Sequence, residues 1–353
     1  MQLIARPTTS SRMLALSPLG AMAFTLVVVT PLLAWAGAPI WKAYAELFTG
    51  AFGGALAITE TLTRATPLIL TGLAAAVAFR AHFYNIGAEG QLYAGAIAAV
   101  MVGGLHGGSG WDLPAYVLFP AMLAAGALAG ALLLAAPAIL KTRFGVDEVV
   151  TTLLTNFIAL LFVSLLLDGA MKDPLSMGWP QSVALNPELE LTKVMEKYRL
   201  HNGFFYAIAL SAGLAFVMAR TTFGFEMRAV GANRDAARFA GMPVNRITLW
   251  TAALSGALAG LAGVFEVAGR TGYVTLDMSP GYGYSGIVVA TLALLNPLGV
   301  VLAAIFIAGV LVGADGMSRA LAVPTYIADV IVAVALLSML VAALLSRYRI
   351  QWR

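Results

Sequence analysis

Apolar stretches about 20 residues long recur from one end of this chain to the other, and that recurrence leaves it few ways to fold. They run over 21–41, 62–79, 88–105, 115–140, 149–167, 203–219, 250–267 and 325–345, with two shorter pieces at 285–295 and 298–314. A helix needs about 20 apolar residues to cross the hydrocarbon core of a bilayer, whereas a barrel strand would alternate in polarity. Composition agrees: 60% of the 353 residues are hydrophobic and 11% charged, with a mean hydropathy of +0.88. The expected fold class is all-α, a polytopic integral membrane protein in one transmembrane domain over 1–353. The chain has no cysteine, which excludes disulfides, thiol catalysis and cysteine-bound metals.

The net charge of +4 follows from loop bias rather than from a nucleic-acid partner. Short loops rich in Lys and Arg stay cytoplasmic. Arg6 and Arg12, Arg80, Lys141 and Arg143, and Arg347, Arg349 and Arg353 fall on one side if Asn296-Pro297 is a turn between two spans. That side also holds a charged island at 220–246 carrying Arg220, Arg228, Arg234, Arg238 and Arg246. About ten spans result, with both termini cytoplasmic and a long external loop at 168–202. If Asn296-Pro297 only kinks one helix, the count is nine and the last arginines fall outside, so ten is preferred. The first span is read as uncleaved rather than as a removed leader. The Gly-rich part of 42–61 is a connector that dips toward the bilayer.

No constellation for catalysis appears. His82, His106 and His201 are scattered over loops without metal-ligand spacing, so no catalytic and no metal residue is assigned. No phosphate-binding Gly-x-x-x-x-Gly-Lys-Ser/Thr loop occurs. Leu254-Ser255-Gly256 lies inside an apolar stretch and is read as helix packing, as is Gly126-x-x-x-Gly130.

The island holds a pattern with a mechanical reading. Asp235 suits a helix start, Ala236 and Ala237 keep one face thin enough for a partner's groove, and Gly241 ends the helix. Asp235-Ala-Ala-x-x-x-Gly241 resembles the Glu-Ala-Ala-x-x-x-Gly motif of the coupling helix in ABC importer permeases. Three longer pieces extend the likeness: Tyr84-Asn-Ile-Gly-Ala-Glu-Gly-Gln91, Arg228-Ala-Val-Gly-Ala-Asn-x-x-Ala-Ala-Arg-x-Ala-Gly241 and Leu254-Ser-Gly-Ala-Leu-Ala-Gly-Leu-Ala-Gly263. Together they resemble the permease family of branched-chain amino acid, ribose and nucleoside ABC importers, in its nucleoside and simple-sugar branch. The departures are Asp for Glu at 235, Tyr84 where Phe is usual, and a missing Leu-Pro after Gly241.

The resemblance implies a transmembrane subunit that binds no cofactor of its own. Its partners would be ABC ATPase subunits holding ATP and Mg, a second and related permease, an extracytoplasmic substrate-binding protein, and the lipid of a bacterial inner membrane. Coupling to the ATPases would fall to Arg228, Gly231, Asn233, Asp235, Ala236, Ala237, Arg238 and Gly241. The expected cargo is a nucleoside, with a simple sugar as the alternative; an ion-coupled carrier working alone is the rival class.

Polar residues at bilayer depth tend to face the bundle interior. Asn85 and Glu89, four apart and so expected on one helix face, stand with Gln91, Thr152 and Asn156 as candidate path residues. Two readings stay open for them: contact with a sugar hydroxyl or base edge, or anchoring of a helix end and its neighbours. Tyr282 and Tyr284 are expected on the outer side as a gate or as interfacial tyrosines. Asp315 and Arg319 are expected to pair with each other.

Overall fold

The computed structural model describes residues 2–5, 11–105, 113–324 and 326–351; His106 and Arg353 lie outside them. The described chain forms α1 (Ser11–Trp35), α2 (Ile40–Phe52), α3 (Ala55–Arg80), α4 (Ala88–Gly103), α5 (Ala115–Phe144), α6 (Glu148–Asp168), α7 (Gly203–Arg220), α8 (Thr222–Ala232), α9 (Arg234–Phe239), α10 (Val244–Glu266), α11 (Tyr282–Leu292), α12 (Pro297–Leu321) and α13 (Ile327–Arg347). A π-helical turn, Val267–Thr271, prolongs α10. The all-α expectation holds apart from one ribbon, in which Gln2–Ala5 pairs antiparallel with Tyr348–Gln351 and brings the two ends together on one face.

Among the described residues six helices are long and apolar enough to cross a membrane: α3, α5, α6, α7, α10 with its π turn, and α12. A bent pair, Ala23–Trp35 with Ile40–Phe52 at 117°, would make a seventh. Long helices therefore do not supply ten spans. At 1.5 Å rise per residue, the 16 residues of α4 and the 11 of α11 reach about 24 and 17 Å, short of the roughly 30 Å core. The 42–61 connector is most of α2 and the start of α3.

Asn296-Pro297 is a turn. Leu294 and Leu295 take left-handed φ of 53° and 59°, and Asn296 Oδ1 caps α12 by accepting from the Leu298 amide at 3.0 Å. Pro297 at the first helical position loses no hydrogen bond there. Arg80 at the end of α3 donates to the Leu295 carbonyl, so the turn lies on the face that also carries α8, called the island face below.

Glycines set the centre of the bundle. On α10, a Cβ at Gly256 would meet Gly130 O at 2.4 Å, one at Gly260 would meet Gly126 O at 2.2 Å, and one at Gly263 would meet Leu92 O at 1.8 Å. No L side chain fits such approaches, so α4 and α5 lie backbone to backbone against α10. Both sequence readings of helix packing, at 126–130 and 254–256, are met here. α3 is the innermost span, with 83% of its apolar window buried, against 22% for α6. α6 instead turns Phe157, Leu161 and Leu165 outward, the surface expected against lipid chains.

The 168–202 loop is tied down on the opposite, far face. Leu185 donates to Gly272 O at 2.7 Å, Leu191 to Ala268 O at 2.7 Å and Asn186 to Gly103 O at 2.8 Å. Leu185, Leu189 and Leu191 are buried beneath it, so the loop closes over the ends of α4 and α10. His201 is buried there as well, its Nδ1 accepting from the Gly203 amide at 3.2 Å. Burial without a countercharge pushes its pKa down to about 4. The unfolded chain, with a His pKa near 6.5, binds a proton that the folded chain refuses between those values. Stability is therefore full above about pH 6.5 and falls by up to about 1.4 kcal/mol per pH unit as pH drops toward 4. Melting curves between pH 7.5 and 5 should show this loss in the wild type and a flatter acid limb in His201→Asn, whose amide oxygen still accepts from Gly203.

Candidate functional site

Two places in this fold gather the residues singled out by the sequence. The first is a break in the helical structure at half depth. After α3 the chain does not reverse straight into a helix: 83–87 is irregular and climbs along α6. The Tyr84 amide donates to Glu148 Oε1 at 3.2 Å, the Ile86 amide to Thr152 Oγ1 at 3.2 Å, and the Gly90 amide to Asn156 Oδ1. Gly90 is in the first turn of α4, whose amides lack partners within the helix, and all three donors are received by α6 side chains.

Asn85 thus precedes the helix instead of sharing a face with Glu89; α4 begins only at Ala88. Its amide pairs reciprocally with that of Gln91, Nδ2 to Oε1 and Nε2 to Oδ1, both at 2.9 Å. Asn85 Oδ1 also accepts from the Gly87 amide at 3.0 Å, and Nδ2 donates to Ser255 Oγ at 3.1 Å, which donates in turn to Ala74 O at 2.8 Å. A carboxamide has two donors and one oxygen with two lone pairs. All of them are engaged, so Asn85 locks the irregular segment to α10 and α3.

Glu89 caps a helix, though not its own. Its carboxyl oxygen accepts from the Gly283 amide in the first turn of α11, where a Gly283 Cβ would lie 2.2 Å from the Glu89 amide nitrogen. The N-termini of α4 and α11 therefore meet inside the bundle. Thr71, in the middle of α3, donates to the Tyr282 carbonyl at 2.9 Å, so Tyr282 lies at half depth rather than on the outer side. The segment 272–281 runs down to it from the far face, held by Tyr93 Oη donating to Leu276 O. Tyr284, 38% exposed, accepts from Asn156 Nδ2. Six of the seven candidate path residues, Asn85, Glu89, Gln91, Thr152, Asn156 and Tyr284, thus belong to one junction. The seventh, Tyr282, starts α11 beside it with its hydroxyl buried and without a hydrogen-bond partner among the described residues.

The second place is the island. Asn233 Oδ1 caps α9 by accepting from the amides of Asp235 and Ala236, both at 3.0 Å; Asn at this position is among the best caps. The helix ends with Gly241 at φ +81°. The Met242 amide donates to Ala237 O and the Gly241 amide to Arg238 O, both at 3.0 Å, a Schellman termination. Ala237 is buried against Val230, Val244 and Ile247, while Asp235, Ala236 and Arg238 stay exposed. Gly231 has a separate role: a Cβ there would stand 2.0 Å from Arg80 O, so it lets α8 touch the end of α3. Arg228, half-buried on α8, approaches the same arginine and raises the positive charge around it.

Sequence reasoning missed several residues. Phe239, at the tip of α9, is 97% exposed; a large aromatic in a charged loop was a signal at hand. Lys141 pairs with Glu148, donates to His82 O at 3.3 Å and lies over the Phe83 ring, which ties the irregular segment to the island face. Asp315 pairs with Arg64 at 2.8 Å and not with Arg319; its partner stands on a helix far away in sequence. Among the described residues no group of three or more His, Cys, Asp or Glu could hold a metal ion.

The profile of the family described as branched-chain amino acid transport system / permease component matches residues 57–345. The guanosine ABC transporter permease protein NupP of Bacillus subtilis (strain 168) is 37% identical over 326 residues, covering 91% of this chain and 92% of its own. The glucose ABC transporter permease protein TsgB13 of Haloferax volcanii is 36% identical, covering 87% of this chain and 82% of its own. The nucleoside ABC transporter permease protein NupB of Lactococcus lactis subsp. cremoris is 32% identical, covering 82% and 80%.

Proposed function

The chain belongs to the family of branched-chain amino acid transport system permease components, and on that premise we propose that it is the membrane-spanning subunit of an ABC importer carrying a nucleoside into the cytoplasm. The observation that carries the cargo is its 37% identity with a guanosine permease across 91% of the chain. The glucose permease relative favours a second reading, a simple sugar. A sugar and a nucleoside share a ring of hydroxyls.

In this reading α9 docks on ATPase subunits that bind ATP and Mg and hydrolyse ATP; the permease hydrolyses nothing. The exposed, capped six-residue helix supports such docking, since its ends are satisfied within the chain and its outer face is free. Arg228, Gly231, Asn233, Asp235, Ala236, Ala237, Arg238 and Gly241 shape and seat it. A second, related permease and an extracytoplasmic binding protein complete the assembly in a bacterial inner membrane. The chain passes the membrane about ten times: the six long spans, α1 and α13, and α4 and α11, each completing a pass begun by the irregular segments 83–87 and 272–281. Both termini lie with the arginine-rich island in the cytoplasm. The junction then works as a hinge between bundle halves that rock about a midplane path.

Uptake of labelled inosine, uridine and ribose in a strain deleted for this chain tests the cargo. Loss of ATP-dependent nucleoside uptake, restored by the gene, is the expected result. Loss of ribose uptake alone would move the assignment to the sugar reading.

A further inference from the structure

Neither the junction nor the docking helix uses a set of charged side chains that lies within the spans, in their half toward the far face. On α3, Arg64 stands between Glu60, 3.3 Å away, and Asp315 of α12, 2.8 Å away. On α10, buried Glu266 pairs with Arg270, whose Nη2 also donates to Met278 O at 2.8 Å. The unpartnered hydroxyl of Tyr282 lies in the field of Glu266, Arg270, Arg64 and Glu60. Four elements, α3, α10, α11 and α12, thus contribute to one charged layer.

That layer is open on one side. Glu60, Arg64 and Asp315 keep 19, 20 and 28% of their side-chain surface exposed on a cavity of about 640 Å³. A second cavity of about 500 Å³, lined by Arg270, shares Arg199 of the far-face loop with the first. Ionised groups at this depth are expensive against hydrocarbon and stand where water or protein meets them. The contrast within the molecule is plain, because α6 exposes Phe157, Leu161 and Leu165. Resting on the importer reading, we propose that the cleft between α3 and α12 is the outer mouth of the solute path. Its carboxylates are strong acceptors and its guanidinium groups strong donors. A neutral solute rich in hydroxyls, each able to donate and accept, matches both.

The chain has no cysteine, so single cysteines report on this directly. Val312 lines the cleft deeper than Asp315, and Leu161 sits at a comparable distance along α6. In the assembled transporter in membranes, a membrane-impermeant cationic thiosulfonate added from outside should modify Val312→Cys at least tenfold faster than Leu161→Cys. If Val312→Cys does not assemble, Glu60→Cys takes its place. No modification of the cleft cysteine, or modification no faster than at Leu161, overturns the proposal. Labelling is read as a mass shift and needs no transported solute. A modified Val312→Cys in a transporter that moves no nucleoside would sink the cargo reading alone, and an unmodified one with normal uptake would sink the mouth alone.

Discussion

Phe239→Asp is expected to abolish ATP-driven uptake while leaving the amount of membrane-inserted protein unchanged. The ring is 97% exposed and lies at the tip of a helix whose caps, Asn233 and Gly241, do not depend on it. Within this chain its removal therefore costs nothing measurable. An exposed aromatic on a docking helix is the kind of residue that dominates an interface, where truncation costs about 2 kcal/mol or more. Replacing it with a carboxylate adds the desolvation of a charge. Uptake should fall at least about thirtyfold, and ATPase subunits should no longer co-purify with the variant. Full uptake together with full co-purification would remove α9 from the docking surface. Gly241→Asp, which leaves Cβ in open space but strains a left-handed backbone, should act in the same direction more mildly, since Asp tolerates that conformation better than most residues.

Gly263→Leu should prevent the bundle from forming at all. A Cβ at this position would lie 1.8 Å from Leu92 O and 2.8 Å from the Ala96 amide nitrogen, so the clash is with backbone and no rotamer relieves it. α4 would have to move off α10 by more than an ångström. That movement would also open the Gly95 contact with Gly260 and pull Gln91 and Asn85 away from Ser255. Overpacking of a core commonly costs 1–3 kcal/mol; a backbone collision that breaks a polar lock as well should exceed the whole margin of a marginally stable fold. The measurement is the fraction of monodisperse protein recovered in mild detergent, expected near zero for Gly263→Leu and near wild type for Leu161→Ala on the outer face of α6.

Much of this was legible in the chain itself. The island's caps follow from local rules: Asn233 and Gly241 do their work within a few residues of where they stand. The α10 glycines were readable as a packing face because a helix repeats its own surface. What could not be read depends on groups far apart in sequence. Glu89 looked like a cap for its own helix because the Gly283 amide is 194 positions away. Asp315 had Arg319 one turn along but pairs with Arg64 on another helix. The shared face assumed for Asn85 and Glu89 required a helix over 85–89, and the side chains of α6 instead hold the start of that stretch out of a helix. Tyr282 was placed at the surface because Gly, Tyr and Pro around it resemble a loop, which it is, but one that descends into the bundle.

The meeting of α4 and α11 bears on where the molecule can come apart. From the seam at Glu89 and Gly283 one helix leads to the far face and the other to the island face. The irregular segment 272–281 lies against α4, held at Tyr93. Helical amides donate to the preceding turn of their own helix, but those of Tyr84, Ile86, Val274 and Ser279 donate to side chains of other segments. Solvent that enters the bundle competes for the second kind first. Deuterium should therefore enter the segments 83–87 and 272–281 ahead of the helices on either side, tracing through the protein a diagonal line of weakness that no single span contains.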